Sequence, residues 1–369
     1  MNSRTRNAAK RILMDAREFV RGRFTGIGRV LEGLTDALAG EGDAMAIVLA
    51  VQDAQALPTR LRNRKNIEIL PIPSSFLKSE KALSDFTRED CGLFISPYPK
   101  LPLYGCHCPS INVIHDVLDL THPLYRRRLK ALFDGYRLKR ALRRAGLTWY
   151  DSSWSLTETE TYAGYTGKNP RVRYPGIDER FTPVRSPKEG EILARYGLEP
   201  GFILAVGNGL PHKNLGILLD IADQVERRLV FIGVPPGNQS YWKTLFPKSK
   251  AQWIEHVHDE DLPSVLRGAF CVAQPSTVEG YGYPPLEAMA AGVPAVVSHI
   301  PVLLETTGHM VMSANPGDSK TWLEAFQALE GKDTYKSHVD RGLAWLTPMR
   351  GRRGWEKHVS DIQEFTKGI

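Results

Sequence analysis

Cysteine is scarce. Four cysteines in 369 residues are too few to staple a chain of this size, so no disulfide framework is expected. Cys106-His107-Cys108 has no second ligand pair at zinc-site spacing, and no metal is expected there. Long apolar runs are also missing: none reaches the roughly 18 to 20 residues of a membrane span. The basic start MNSRTRNAAKR leads straight into ILMDA, with no signal-peptide apolar region or cleavage site, and cytoplasmic residence is expected. A third glycine is missing after Gly26-Ile27-Gly28. Val30 and Leu31 follow and the next glycine is Gly33, which is the wrong spacing for a dehydrogenase dinucleotide fingerprint. Neither a recognition-helix signature nor aromatic–basic interleaving is present, which argues against a nucleic-acid partner.

What is present is length, mixed charge and alternation. A chain of 369 residues exceeds one usual core, and its net charge of +7 suits anionic partners such as a nucleotide or lipid head groups. Strand-like apolar runs at Ile12–Ala16, Ala44–Val51, Ile67–Leu70, Gly92–Ser96, Ile111–His115, Leu147–Asp151 and Arg171–Tyr174 alternate with helical periodicity at Gly28–Ala39, Tyr125–Ala145 and Ser155–Tyr165. The second half repeats the pattern with strands at Phe202–Val206, Leu229–Gly233, Gln252–His256, Cys271–Gln274 and Ala295–Ser298. Such alternation predicts parallel sheets wrapped by helices, with ligands at the carboxyl ends of the strands. The Pro-, Gly- and charge-rich stretch YPGIDERFTPVRSPKEG reads as a linker. The fold expected is therefore α/β, two doubly wound Rossmann-like domains facing a cleft.

The stretch Val278–Ser298, VEGYGYPPLEAMAAGVPAVVS, reads as loop, helix and strand. Gly280 and Gly282 loosen the loop, Pro284-Pro285 suits the first helical turn, Gly292 caps the end, and PAVV is a buried strand. A glycine-lined helix N-terminus suits an anion, above all a phosphate, and the carboxylates Glu279 and Glu287 can take sugar or ribose hydroxyls. The same spacing also fits an ordinary helix with a Pro-Gly entry loop.

EGYGYPPLEAMAAGVP resembles the E-x7-E signature of retaining glycosyltransferases of the GT-B fold, which include bacterial mannosyl- and lipopolysaccharide-sugar transferases. The resemblance implies an acceptor-side domain over 1–180, a nucleotide-sugar domain over 181–347, and a C-terminal helix over 348–369 that crosses back to the first. In the last segment Trp355, Val359, Ile362 and Phe365 fall on one helical face. By the same resemblance, the donor diphosphate leaves into Lys213 and the backbone amides of Gly280, Tyr281, Gly282 and Tyr283. Glu287 would hold the ribose, Glu279 the donor sugar, and His115, at a strand end, a sugar hydroxyl. Gly26 and Gly28 match the first loop of many such enzymes near the donor phosphate, although a plain turn fits them equally well.

One departure stands out. In Gly207-Asn208-Gly209-Leu210-Pro211-His212-Lys213-Asn214 the lysine of the diphosphate clamp is present at Lys213. The clamp arginine is not: Asn208 and His212 stand where it usually does. Bidentate phosphate geometry would then be lost, with Asn208, His212 or helix N-termini as substitutes. The donor implied is a nucleotide-diphosphate sugar, GDP-mannose first and a UDP sugar next, used as a substrate with no cofactor. The acceptor implied is a glycan or lipid-linked sugar of cell-surface polysaccharide assembly. A sugar-nucleotide epimerase or hydrolase on the same fold is the alternative, and a nucleic-acid-binding protein is a weaker one.

The segment Tyr125–Ala145 carries Arg126, Arg127, Arg128, Lys130, Arg137, Lys139, Arg140, Arg143 and Arg144. Leu129, Leu132, Phe133 and Tyr136 recur at helical spacing. The stripe is expected to face the domain core, with the charges solvated. The basic surface also suits peripheral contact with anionic lipid at the inner membrane face.

Overall fold

Residues 11–22, 25–42, 46–123 and 128–367 are described by the structure, a computed structural model. Positions 1–10, Ala44 and Tyr125 to Arg127, which entered the expectations above, lie outside them, as does the side chain of Arg128. The chain divides into two compact units, Met1–Gly176 with Gly351–Ile369, and Ile177–Arg350.

The first unit holds a seven-stranded sheet in the order β3-β2-β1-β4-β5-β6-β7. Its strands are β1 Arg11–Asp15, β2 Ala46–Val51, β3 Ile67–Pro71, β4 Leu93–Ser96, β5 Ser110–Ile114, β6 Leu147–Tyr150 and β7 Pro170–Val172. All pairings are parallel, with Leu13 opposite Val48 and Phe94 opposite Ser110. Strands buried on both faces need continuous apolar runs, and ILM, IVLAV and LFI supply them. Each fully buried Leu or Ile there contributes about 1.5–3 kcal/mol. Leu13, Val48, Leu83 and Phe94 pack together under one set of helices, and Ile114, Leu138, Leu142 and Tyr150 under another.

The C-terminal segment belongs to this unit. A 3-10 turn at Gly351–Trp355 leads into the helix Glu356–Lys367. Trp355, Val359 and Ile362 are buried and Phe365 is half-buried. Trp355 lies against Gly33 and Gly176: a Cβ at Gly33 would stand 2.5 Å from its ring. Asp361 fastens the helix to the sheet, accepting from Trp149 Nε1 at 2.9 Å and Arg173 Nε at 2.7 Å, with Arg171 as a further partner.

The second unit holds a six-stranded parallel sheet in the order β10-β9-β8-β11-β12-β13. Its strands are β8 Phe202–Val206, β9 Leu229–Ile232, β10 Gln252–Ile254, β11 Ala269–Gln274, β12 Ala295–Ser298 and β13 Met312–Ala314. Ile203, Phe231, Ala273, Val296, Trp322 and Phe326 meet in one core. Among the described residues, no helix is long and apolar enough to cross a membrane.

The basic helix departs from expectation. It runs Arg128–Arg144, and the residues it buries are Ala131, Gly135, Arg137, Leu138, Ala141 and Leu142. The stripe expected to face the core lies outside: Leu129 is 84% exposed, Leu132 70%, Phe133 42% and Tyr136 62%. The helix has two apolar arcs on opposite sides, and the sheet takes the one with smaller side chains, which lets the backbone come close.

Candidate functional site

In the second sheet the winding reverses between β8 and β11, where an open parallel sheet parts its loops and leaves a crevice at the strand ends. The β8 loop runs from Gly207 to a 3-10 turn at Pro211–Lys213, and Asn214 follows at φ 53°. The β11 loop runs Pro275 to Gly282. Thr277 N–H donates to His212 O at 2.8 Å and ties the two loops together.

Glu279 sits where they meet. Its Oε1 accepts from Lys213 Nζ at 2.6 Å, Ser276 Oγ at 2.6 Å and Gln274 Nε2 at 2.5 Å. Burial pushes the Glu279 carboxyl up, but the Lys213 charge and the hydrogen bonds from Lys213 and Ser276 more than offset it, and the net direction is below the ordinary 4.5. The site thus presents a fixed carboxylate beside an ammonium. One Lys213 donor is committed to Glu279, which leaves its others for an anion.

The expected phosphate cradle has a particular form here. Gly282 is the N-cap of the helix Tyr283–Ala290, in the left-handed region at φ 92°. Pro284 and Pro285 have no N–H, so of the first three helical positions only Tyr283 carries a donor. The remaining backbone amides of this stretch are those of the loop, Gly280 to Gly282, and of Tyr283. The Tyr281 and Tyr283 rings meet edge to face at 5.1 Å between centroids, and both side chains are buried. Glu287 is buried on the same helix. The helix itself ends at Ala290, two residues before Gly292, which takes a left-handed φ of 75°.

Of the residues proposed to replace the clamp arginine, Asn208 is used within its own loop. Its Oδ1 accepts from Leu210 N–H at 3.2 Å, and its carbonyl accepts from Asn238 at 2.7 Å. His212 is buried and acts electrostatically on Glu279. Gly207 lies beneath the stem of Lys213, 3.7 Å from Cδ and Cε to its Cβ position.

The first unit collects a separate polar group. Winding there reverses between β1 and β4. Gly26 and Gly28 begin the helix Gly26–Ala39, and Gly28 N–H donates to the capping Thr25 Oγ1 at 3.0 Å, so that amide serves the helix start. Glu18 joins this cap to the β4 loop, accepting from Thr25 Oγ1 at 2.6 Å and from Tyr98 OH at 3.0 Å. Beneath it, Arg17 pairs with Asp15 at 2.6 Å and Glu80 at 3.1 Å, and Arg137 pairs with Glu80 at 2.7 Å.

His115 follows β5. Its Nδ1 is 2.5 Å from Asp151 Oδ2 and its Nε2 is 2.9 Å from Pro97 O. Two acceptors on one ring require two N–H donors, so the geometry calls for an imidazolium. Burial lowers the His115 pKa, yet the Asp151 carboxylate more than offsets this and the net direction is up from 6.5. Both ring nitrogens are occupied within the unit, and contact with a sugar would require His115 to give up one of these bonds.

Among the described residues, no group of three or more His, Cys, Asp or Glu is arranged to hold a metal ion. Cys106 and Cys108 instead turn toward Cys91 and the backbone, with Cys108 Sγ 3.2 Å from Cys91 Sγ.

Gln274, Ser276 and Asp151 were not picked out by the sequence. Each lies at, or within two residues of, the carboxyl end of a buried strand, β11 or β6, and that position was the available signal.

Two doubly wound units with these loop sites make the GT-B fold of glycosyltransferases. The chain is similar to a sucrose-phosphate synthase from Thermosynechococcus elongatus with a TM-score of 0.78 and 14% identity, covering 97% of this chain and 98% of that one. Residues 193–340 match the model of the family Glycosyl transferases group 1. The O-antigen chain mannosyltransferase B of Escherichia coli is 28% identical over 248 residues, 64% of this chain and 65% of that protein. The O-antigen chain mannosyltransferase RfbU of Salmonella typhimurium is 30% identical over 174 residues, 45% and 49% of the two chains. The chain therefore matches about two thirds of the length of the first of these relatives and about half of the second.

Proposed function

We propose that this protein is a retaining glycosyltransferase that moves a sugar, mannose first, from a nucleoside-diphosphate donor to a glycan or lipid-linked acceptor of cell-surface polysaccharide assembly, at the inner face of a membrane. The observation that carries the proposal is the Lys213–Glu279 pair, fixed by Ser276 and Gln274 at the β8/β11 reversal and followed eight residues later by buried Glu287. The names of the two O-antigen relatives support the mannosyl donor and the polysaccharide acceptor.

In this reading Lys213 and the loop amides from Gly280 to Tyr283 receive the diphosphate, Glu287 takes the ribose hydroxyls and Glu279 the sugar hydroxyls. The bond from the sugar C1 to the phosphate oxygen breaks as negative charge gathers on the leaving group, where donors already in place stabilise it most. The acceptor hydroxyl oxygen bonds to C1 on the face the diphosphate leaves. Its proton passes to the departing phosphate oxygen, and configuration is kept. Glu279 stays ionised and hydrogen-bonded throughout, so it steadies positive charge at the sugar and forms no bond to it. His115 holds the β5 and β6 ends together.

Thermal unfolding with GDP, UDP, ADP, TDP and their sugar conjugates tests the donor side, because a ligand of the folded state raises Tm by mass action. One nucleotide should stabilise the wild type and lose its effect in Glu287→Ala. No stabilisation by any nucleotide would sink the reading.

A further inference from the structure

Among the described residues, twelve large hydrophobic side chains are exposed, and six of them belong to two helix segments: Leu129, Leu132, Phe133 and Tyr136, with Phe76 and Leu77. Single exposed apolar residues are ordinary, but a gathered set marks a docking surface. The two segments touch, since the Phe76 and Phe133 rings meet edge to face at 6.5 Å. The guanidinium of Arg137 lies 5.7 Å from the centroid of each ring and is anchored by Glu80 at 2.7 Å. The apolar side chains therefore stand on a rigid mount.

The pattern along the helix identifies the occupant. At 100° per residue, Lys139, Arg140, Arg143 and Arg144 continue the strip begun by Leu129, Leu132, Phe133 and Tyr136. One outer face is thus apolar in its first two turns and cationic in its last two. It carries no Asp or Glu, because Asp134 points to another side and is paired with Lys130 at 3.0 Å. Arg143 and Arg144 have no carboxylate partner among the described residues. A second copy of this chain packed strip against strip would bring unpaired arginines against either arginines or leucines, and each arrangement desolvates charge without compensation. An anionic lipid surface neutralises the basic half and accepts the apolar half.

We propose that this strip, with Phe76 and Leu77 beside it, is the surface that seats the protein on an anionic bilayer, Leu132 and Phe133 entering the acyl boundary and Arg143 and Arg144 meeting phosphate head groups. It gives the membrane contact proposed above its surface. It rests on that part of the reading alone and needs no transfer chemistry.

Co-sedimentation of the full chain with vesicles of phosphatidylglycerol and phosphatidylcholine, and of phosphatidylcholine alone, tests it. Binding is expected to the anionic vesicles only. Arg143→Gln with Arg144→Gln should weaken it about 30-fold, from two charges at about 1 kcal/mol each near the surface. Leu132→Ser with Phe133→Ser should weaken it at least as much and leave the remainder fully salt-sensitive, since salt screens only the charges. Hydrogen exchange on the wild type needs no variant: vesicles should protect Arg128–Arg144 and the start of the helix Phe76–Glu89. The proposal is overturned if anionic vesicles are not bound or if protection falls elsewhere. It is equally overturned if the wild type is a dimer that Phe133→Ser makes monomeric.

Discussion

Lys213 Nζ and Glu279 Oε1 stand 2.6 Å apart, and both side chains are largely buried. Removing one member of such a pair leaves the other charge uncompensated, at a cost of about 3–5 kcal/mol. Lys213→Met should therefore destabilise the second unit by about that much, and Glu279→Gln by less, since Lys213 is the more exposed of the two. The double variant should recover about 1–3 kcal/mol of the summed loss, measured as a double-mutant cycle by denaturant unfolding. For transfer itself, loss of Lys213 should cost about 100- to 1000-fold in kcat, the range for a donor that meets developing charge. Additive stability losses with unchanged turnover would separate the pair from the chemistry.

Two buried histidines of the first unit titrate in opposite directions. His115, beside Asp151 and Asp116, has its pKa raised above 6.5, so the stability it adds is fully present below 6.5 and is lost as pH rises through its folded value. His358, between the Trp149 and Trp355 rings, is pushed down to about 3 by burial, against a smaller upward pull from Asp361. Below 6.5 the unfolded chain takes up a proton there that the folded chain refuses, so stability falls as pH drops from 6.5 toward 3. Thermal unfolding across pH should show a maximum for this unit near 6.5. Asp151→Asn should flatten the alkaline limb, because burial of His115 is then no longer offset by that carboxylate. An unchanged alkaline limb in that variant would contradict the clamp.

Twelve of the thirteen described strands were legible, most of them because parallel strands covered on both faces must be continuous apolar runs; the outer strands β3, β7 and β10 are mixed and only partly buried. The exception, Met312–Ala314, is a three-residue edge strand that carries too little pattern. The helix Phe76–Glu89 was missed because its buried face is built largely from the polar residues Ser79, Glu80, Ser84 and Thr87, of which Ser79 and Glu80 accept from Arg17 and Glu80 also from Arg137. Gly33, misplaced for a nucleotide fingerprint, is there for the Trp355 ring, a contact between residues more than 300 positions apart. On the basic helix, local sequence could not choose between two apolar arcs, since the choice belongs to the sheet beneath. At the site, the paired glutamates were visible as a motif. The partners of Glu279 and His115 were not, because Gln274, Ser276 and Asp151 acquire their meaning only where strand ends converge.

Asp361 should prove the main polar anchor of the C-terminal helix. It accepts from Trp149 Nε1 at 2.9 Å and from Arg173 at 2.7 and 2.8 Å. Asp361→Asn keeps the size but removes the charge that two arginines face, and should cost about 3 kcal/mol. Glu364 on the same helix is exposed and pairs with Arg171, and Glu364→Gln should cost at most about 0.5 kcal/mol. Unfolding midpoints of the two variants check the contrast. Equal losses would mean that Asp361 contributes no more than a surface charge.

Gly282 offers the sharpest test of the loop that precedes Glu287. Its φ of 92° disfavours any L side chain, and a Cβ there would stand 2.5 Å from Leu303 Cδ2, whose side chain is fully buried. Strain of about 1–2 kcal/mol from the backbone adds to that clash. Gly282→Ala should therefore lower Tm and, by shifting the amides of Gly280 to Tyr283, abolish nucleotide stabilisation. Gly237→Ala is the matched control: it lies in the helix Pro236–Leu245, its Cβ would meet nothing within 4 Å, and alanine there should stabilise by about 0.4–1 kcal/mol. If Gly282→Ala keeps the nucleotide shift of the wild type, the loop amides do not bind the diphosphate, and Lys213 must hold it without them.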